Sequence, residues 1–400
     1  MKGTPRGRGR FSTHTILCVI LVSLSVYSCK KTGRDPRIVL NREYKNEILA
    51  GRDALKVYLL TGPPGASISV SVNGKTVWSE GMGYASKELK APARPETKYR
   101  IGRSSGMFAA MLAARLNEEG KLNVDSSLYK YIPNFPKKQW DFNIRDLGTH
   151  TAGFKETSYE QLHNNEGFKS LKDYIHSADN DSLAFQPNHY FAISDYGTCL
   201  LGIVAETITG ISYPKLVQEL LLDTLGLTET VIDSPSMLIE NRSGAYFQNF
   251  IAQLINAPEI DQRFMLPAYG YLSTADDLNK LGQVMMNKGF FDEKTYELFF
   301  TPNQLDGGFV TNLGFGWQIF TDRVGRKVYI QQGNTIGGTS FLAVFPDQKL
   351  VVSLCTNLAD DSETMPSGQL VQLFLDKIDP RKPAEKTPTT PKAEQTQKSN

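Results

Sequence analysis

The chain is poor in the features that usually settle a function class by composition. Four cysteines in 400 residues are too few to frame a disulfide scaffold. Neither sign of charge dominates. The 44 Lys+Arg and 42 Asp+Glu leave a formal net charge of +2, which excludes a strong field for nucleic acid. The five histidines are scattered and form no metal-ligand cluster, and no Gly-rich phosphate loop joins a strand to a helix. The apolar run near the start, Ile16 to Val26, falls well short of the roughly 20 residues that a spanning helix needs. No internal repeat is visible. What is present is ordinary: 40% hydrophobic and 22% charged residues exclude wholesale disorder and indicate a globular body.

The two ends differ from that body. Residues 1–28 carry Lys2, Arg6, Arg8 and Arg10 with no acid, and the apolar run follows. The stretch closes on Val26-Tyr27-Ser28-Cys29, which resembles a bacterial lipoprotein signal in which Cys29 becomes the lipidated N-terminus. An ordinary secretory signal or an uncleaved anchor are the alternatives. Each takes the chain out of the cytoplasm, and the first places it in the cell envelope on a membrane anchor. Residues 29–49 are expected to be a tether. From Pro380 to Asn400 the chain is rich in Pro, Lys, Thr and Gln without an aromatic residue, which predicts a disordered tail. The leader holds four positive charges, and the tail holds five basic residues against two acids. Residues 29–379 are therefore left at −5.

Within the body, expected over residues 50–379, Ile68, Val70 and Val72 alternate with serines before Asn73-Gly74 and Thr76-Val77-Trp78. That is a hairpin with a two-residue turn. Strand patterns return at Lys327 to Ile330, Phe341 to Phe345 and Leu350 to Leu354, with Pro346-Asp347 as the last turn and a helix over about 369–378. The interval is helical. Met107 to Asn117 sets Met107, Met111, Leu112 and Leu116 on one face and stops before Gly120. Leu200 to Ile208, Leu216 to Leu225 and Ala275 to Met286 follow. The fold class is α+β: an antiparallel sheet formed by both chain ends, plus an inserted mainly helical lobe over about 107–310. Ala109 to Ala114 reads as a buried helix and not a membrane segment, because Arg115 and Glu118 follow at once. Cys199 and Cys355 sit in apolar runs and are expected as buried free thiols, with a disulfide as the alternative.

The phrases Tyr99-Arg100-Ile101-Gly102-Arg103-Ser104-Ser105-Gly106-Met107-Phe108, Ile144 to Gly153 with its Thr149-His150-Thr151-Ala152-Gly153, Pro187 to Gly210, Gly270 to Leu278, Leu313 to Trp317 and Gly333 to Asn357 occur in one order. Together they resemble the serine β-lactamase and penicillin-binding-protein superfamily. The branch they resemble most holds esterases, D-aminopeptidases and the mitochondrial serine β-lactamase-like protein. The resemblance covers roughly residues 50 to 375. It implies a serine nucleophile and a lysine base at i and i+3 on a helix start, a tyrosine relay followed by an asparagine, and a lysine or histidine on a strand that holds the substrate carboxylate. Backbone amides would make the oxyanion hole.

On the same resemblance, Arg103 stands at the serine, Gly106 at the lysine, Ile193 at the tyrosine, Asp195 at the asparagine and Gln331-Gln332-Gly333 at the strand motif. Ser194-Asp195-Tyr196 reads alternatively as a worn S-D-N, one residue out of register. No shifted frame restores the first motif, since Ser104 leads to Met107 and Ser105 to Phe108. Arginine stays protonated and is neither nucleophile nor base. Glycine and isoleucine do not titrate, and glutamine carries no charge. No catalytic residue of the set is intact, which implies a pseudoenzyme with no cofactor and no metal.

The candidate ligand-binding residues are then Arg103, Ser104, Ser105, Asp195, Gln331 and Gln332, facing an anionic peptide or cell-wall fragment at a helix start. Alternatively Asp195 pairs with Arg103 and fills the cleft. The Ser104 and Ser105 hydroxyls are expected as helix caps ahead of a relocated nucleophile. His150 is expected as structural, His189 and Tyr190 as rim or loop residues, and Trp78 and Trp317 as packing. An atypical serine hydrolase acting on a D-alanyl peptide, β-lactam or ester, and an assembly scaffold, are the other function classes.

Overall fold

Asn73 and Gly74 both take left-handed backbone, at φ 50° and 74°, as a two-residue hairpin turn of the inverted kind requires. They join β2 (Gly65–Val72) to β3 (Lys75–Ser86) in the antiparallel register expected. In this computed structural model residues 37–158, 168, 170–177, 180–359 and 364–381 are described. The leader, Cys29 and residues 382–400 of the tail lie outside them.

Among the described residues the main sheet runs β1 (Val39–Leu40), β3, β2, β13 (Leu350–Thr356), β12 (Gly338–Phe345), β11 (Lys327–Thr335), β10 (Gln318–Thr321). Short β4 (Ala91–Pro92) sits on β3. Every pairing is antiparallel, and β2 from the start of the chain lies directly against β13 from its end. β5 (Tyr99–Arg100), β6 (Val231–Ile232) and β9 (Tyr271–Ser273) form a small second sheet, and β7 (Tyr246–Gln248) with β8 (Leu254–Asn256) a separate hairpin. The class is therefore α+β with antiparallel sheets. β10 is an additional closing strand that the periodicity did not announce.

Two corrections concern the start of the body. The expected tether of 29–49 already contains β1, which pairs with Trp78 and Ser79 of β3. It also contains the first turn of helix α1 (Lys45–Thr61). α1 buries Ile48, Gly51, Leu55 and Tyr58, a helical stripe that closes one face of the sheet together with the last helix (Ser367–Ile378).

The other face of the sheet meets the helical region. Those helices are α2 (Gly106–Glu118), α3 (Ile144–Gly148), α4 (Leu171–His176), α5 (Asp195–Thr209), a broken α6 (Tyr213–Val217, a π turn Gln218–Leu222, Asp223–Leu225), α7 (Leu266–Tyr269), α8 (Ala275–Asn287) and α9 (Glu293–Phe300), with the terminal helix as α10. Because both faces are covered, the serines of β2 are buried too, and α8 brings polar side chains to the backbone and to β3 beside them. Asn279 Nδ2 donates to the Ser69 and Val351 carbonyls at 3.0 and 3.1 Å, and Ser79 Oγ donates to Asp276 at 2.8 Å. α2 is buried along nearly its whole length, Ala109 to Ala114 included. Cys199 and Cys355 are buried free thiols.

Candidate functional site

The sequence from Tyr99 to Phe108 passes from β5 through one tight turn, Gly102–Ser105, into α2. That turn is pressed against β11. A methyl group on Gly333 would lie 1.9 Å from the Ile101 carbonyl oxygen and 2.5 Å from the Ser104 nitrogen. Gly102 takes φ 56° against the Asn334 backbone. The Ser340 hydroxyl donates to the Ile101 carbonyl at 2.8 Å and lies 2.9 Å from Ser104 Oγ. Arg100, on the flank, donates to Asp233 at 2.7 Å and to the Ile336 carbonyl at 2.9 Å. The start of α2 is thereby fixed on the sheet from behind.

In front of it lies a small cleft with a cavity volume of about 50 Å³. Its lining brings together Arg103, Gly106, Ile193, Gln331 and Gln332, from three separated stretches of sequence. Asp195 joins them through Arg103. It is the first residue of α5, whose cap Ser194 accepts from Gly197 N at 3.2 Å. Arg103 Nε and Nη2 donate to the two Asp195 oxygens at 2.9 and 3.1 Å, a two-bond fork. Tyr269 Oη, at the end of α7, donates to Asp195 Oδ2 at 3.0 Å, and the guanidinium lies 5.7 Å from the Tyr269 ring centre. The Asp195 side chain is 0% exposed, while that of Arg103 is 41% exposed. Burial works against the Arg103 charge, but the Asp195 carboxylate and Tyr269 outweigh it and hold the guanidinium above its ordinary range. Burial, then Asp195, pushes the Tyr269 hydroxyl well up. Arg103 and Asp195 therefore form the internal pair, and a small opening remains beside it.

Ser104 and Ser105 do not line this cleft. Both are buried behind it, and the expected capping does not occur, since α2 begins without a side-chain cap. Ser105 Oγ has no partner at all. The tight turn before α2 sets Ser104 Oγ against Ser340 of the sheet. Gln331 is buried and donates its amide to the Gly316 carbonyl. Gly106 faces the cleft, where a methyl group would stand 3.3 Å from Thr198 Cγ2.

His150 is in the cleft wall, with left-handed backbone at φ 58°. Its Nδ1 accepts from the Ser194 amide at 3.2 Å, which leaves the ring proton on Nε2. Burial lowers its pKa to about 4, against the pull of Asp195 and with the push of Arg103, so the ring is neutral at pH 7. His189 and Tyr190 are exposed but do not rim the cleft. His189 sits by Pro187 and Asp306, and Tyr190 stacks on Phe191. Trp78 packs on Phe374 and Trp317 on Phe300, as expected, and Trp317 also forms part of the cleft wall, with its Nε1 unpartnered. Tyr269 was the partner missed by the sequence reading, although it directly precedes the phrase Gly270 to Leu278.

The sheet made from both chain ends, the helical insertion and the cleft where α2, α5 and β11 meet define a β-lactamase-like fold. A beta-lactamase family model matches residues 59–373, and the chain belongs to that family. It is 25% identical over 403 aligned positions to the human serine beta-lactamase-like protein LACTB, mitochondrial, covering 77% of this chain and 74% of that one. Two solved structures share the fold. The octameric penicillin-binding protein homologue of Pyrococcus abyssi has a TM-score of 0.71 at 21% identity, over 86% of this chain and 79% of its own. D-amino acid amidase of Ochrobactrum anthropi SV3 has a TM-score of 0.72 at 18% identity, over 83% and 98%.

Proposed function

We propose that this chain is a non-hydrolytic member of the family whose cleft mouth takes the carboxylate end of a peptide or cell-wall fragment. On this reading it works in the bacterial cell envelope, lipid-anchored through Cys29. The observation that carries the reading is the Arg103–Asp195–Tyr269 cluster. A guanidinium tied by two bonds to a buried carboxylate occupies the helix start where the family's chemistry needs a serine. One turn on, Gly106 brings no amine. Such a pair can neither attack a carbonyl nor accept a proton from an attacking group.

The half-exposed edge of Arg103 and the part-buried Gln332 are the polar side chains that meet a ligand at the mouth. About 50 Å³ admits a carboxylate or a few waters but no ring system, so the rest of the ligand lies outside. Burial of the Ser104 and Ser105 hydroxyls weighs against the atypical hydrolase.

Fluorescent penicillin and an activated ester, applied to the full chain, should give no covalent label. Labelling that is lost in Ser104→Ala or Ser105→Ala would establish a hydrolase and overturn the reading. A muropeptide ending in a free carboxylate should then raise Tm progressively with its concentration, the stabilisation reaching roughly 2.7 kcal/mol at a hundredfold excess over Kd. The rise should weaken in Gln332→Ala. A flat response would leave the scaffold role.

A further inference from the structure

The two ends of the main sheet carry very different surfaces. At one end the turns Asn73-Gly74 and Asp347-Gln348-Lys349 are polar. At the other, Phe250 is 99% exposed, with Ile251 beside it at 65%. Both sit on the tip of the β7–β8 hairpin. The tip is held in shape: Asn249 Oδ1 accepts from the Ile251 and Gln253 amides at 3.2 and 2.9 Å, and Ala252 takes left-handed backbone. Gln248 Nε2 donates to the Thr61 carbonyl at 2.9 Å, which sets the hairpin against the end of α1. There Leu60 and Val57 are 82% and 67% exposed. On the far side Tyr246 Oη accepts from Lys87 N at 2.7 Å and donates to Glu88 at 2.6 Å, next to exposed Leu89 and the lysines Lys87 and Lys90.

The chain's own direction says what covers this patch. β1 is antiparallel to β3, with Val39 opposite Ser79 and Leu40 opposite Trp78. The N-terminal end of β1, at Arg37, therefore faces the Tyr84 end of β3, the end that carries the apolar tip. Arg37 lies eight steps along the chain from Cys29, a reach of at most about 28 Å. A membrane entered by the leader would meet this end of the body, and a rigid apolar tip flanked by lysines suits an anionic phospholipid surface.

We propose that the β7–β8 tip, with the end of α1 and the Lys87–Lys90 turn, is a docking surface by which the folded body lies on an anionic bilayer. The proposal rests on the leader being a membrane-directing segment, and the experiment separates the two. The full chain is added to phosphatidylethanolamine–phosphatidylglycerol vesicles that carry doxyl-labelled lipid. Ile251→Trp is compared with Lys75→Trp at the opposite end, and the emission of the wild-type chain is subtracted from each. The expected result is that shallow doxyl groups quench most of the emission added by Ile251→Trp and leave that added by Lys75→Trp unchanged.

Flotation of the Ile251→Trp chain with its new indole still open to aqueous iodide overturns the docking and leaves the leader reading standing. Flotation that weakens in Phe250→Ser/Ile251→Ser without disappearing supports the docking and keeps the leader reading, and absence of any flotation overturns both. A dimer that the same double variant abolishes would assign the patch to a second copy and overturn the proposal.

Discussion

The back and the front of the cleft follow opposite rules. Behind it, the Gly102–Ser105 turn and β11 approach so closely that glycine is needed at 333, and the Ser340 hydroxyl ties them together. In front, charge and hydrogen bonding close on one carboxylate, with Arg103 forked onto Asp195 and the Tyr269 hydroxyl donating to it. The difference teaches that close backbone packing and charge pairing are divided between the two sides of one turn. The frame joins the sheet to the helical region, and the Arg103–Asp195 ion pair stands in front of it.

That contrast can be broken from either side. The largest effect belongs to the frame. Gly333→Val drives side-chain atoms into the Ile101 carbonyl and should cost at least about 4 kcal/mol, seen as lost soluble yield or an early urea transition. The front comes next. Arg103→Ala leaves a fully buried carboxylate with only Tyr269, and should cost about 2–3 kcal/mol, below the usual range for a buried pair because the guanidinium faces water. In a double-mutant cycle the loss from Arg103→Ala with Asp195→Ala should be clearly smaller than the sum, and additivity would show that the pair is not a unit.

A smaller effect is set by pH. The His150 value of about 4 lies below the ordinary 6.5, so the unfolded chain takes up the proton first as pH falls. The contribution is complete above pH 6.5 and is lost as pH drops through 4. Tm should fall over that window and fall less steeply in His150→Asn, whose side chain tolerates the left-handed backbone. Smallest of all is Ser105→Ala. It deletes a buried hydroxyl without a partner and should change stability by no more than about 0.5 kcal/mol, in either direction. A large loss would mean that Ser105 does more than fill space.

The fold was legible where local chemistry and tertiary need coincide. Asn73-Gly74 read as a hairpin turn, the Met107 stripe as a helix, and Gly120 as a stop, which takes φ 70° after α2. α1 was legible in principle, since Ile48, Leu55 and Tyr58 recur at helical spacing, but its first turn, Lys45 to Leu49, fell within the expected tether. β10 is a four-residue edge strand with mixed polarity, too short for a period to show. In the site, order along the chain sufficed to choose Arg103, Asp195 and Gln331. It could not show that Tyr269 reaches Asp195, because that contact joins residues 74 apart in sequence. Nor could it show that Ser104 and Ser105 turn away, which depends on the turn geometry in front of α2.

Pairing β2 with β13 has a consequence for the way this protein is made. Ser69 and Ser353 meet across a separation of 284 residues, so the centre of the sheet cannot close until nearly the whole chain is available. Synthesis delivers β2 early and leaves its edge without its neighbour until the last strands arrive. That delay leaves β2, with Ile68, Val70 and Val72, in need of protection from aggregation until the last strands arrive.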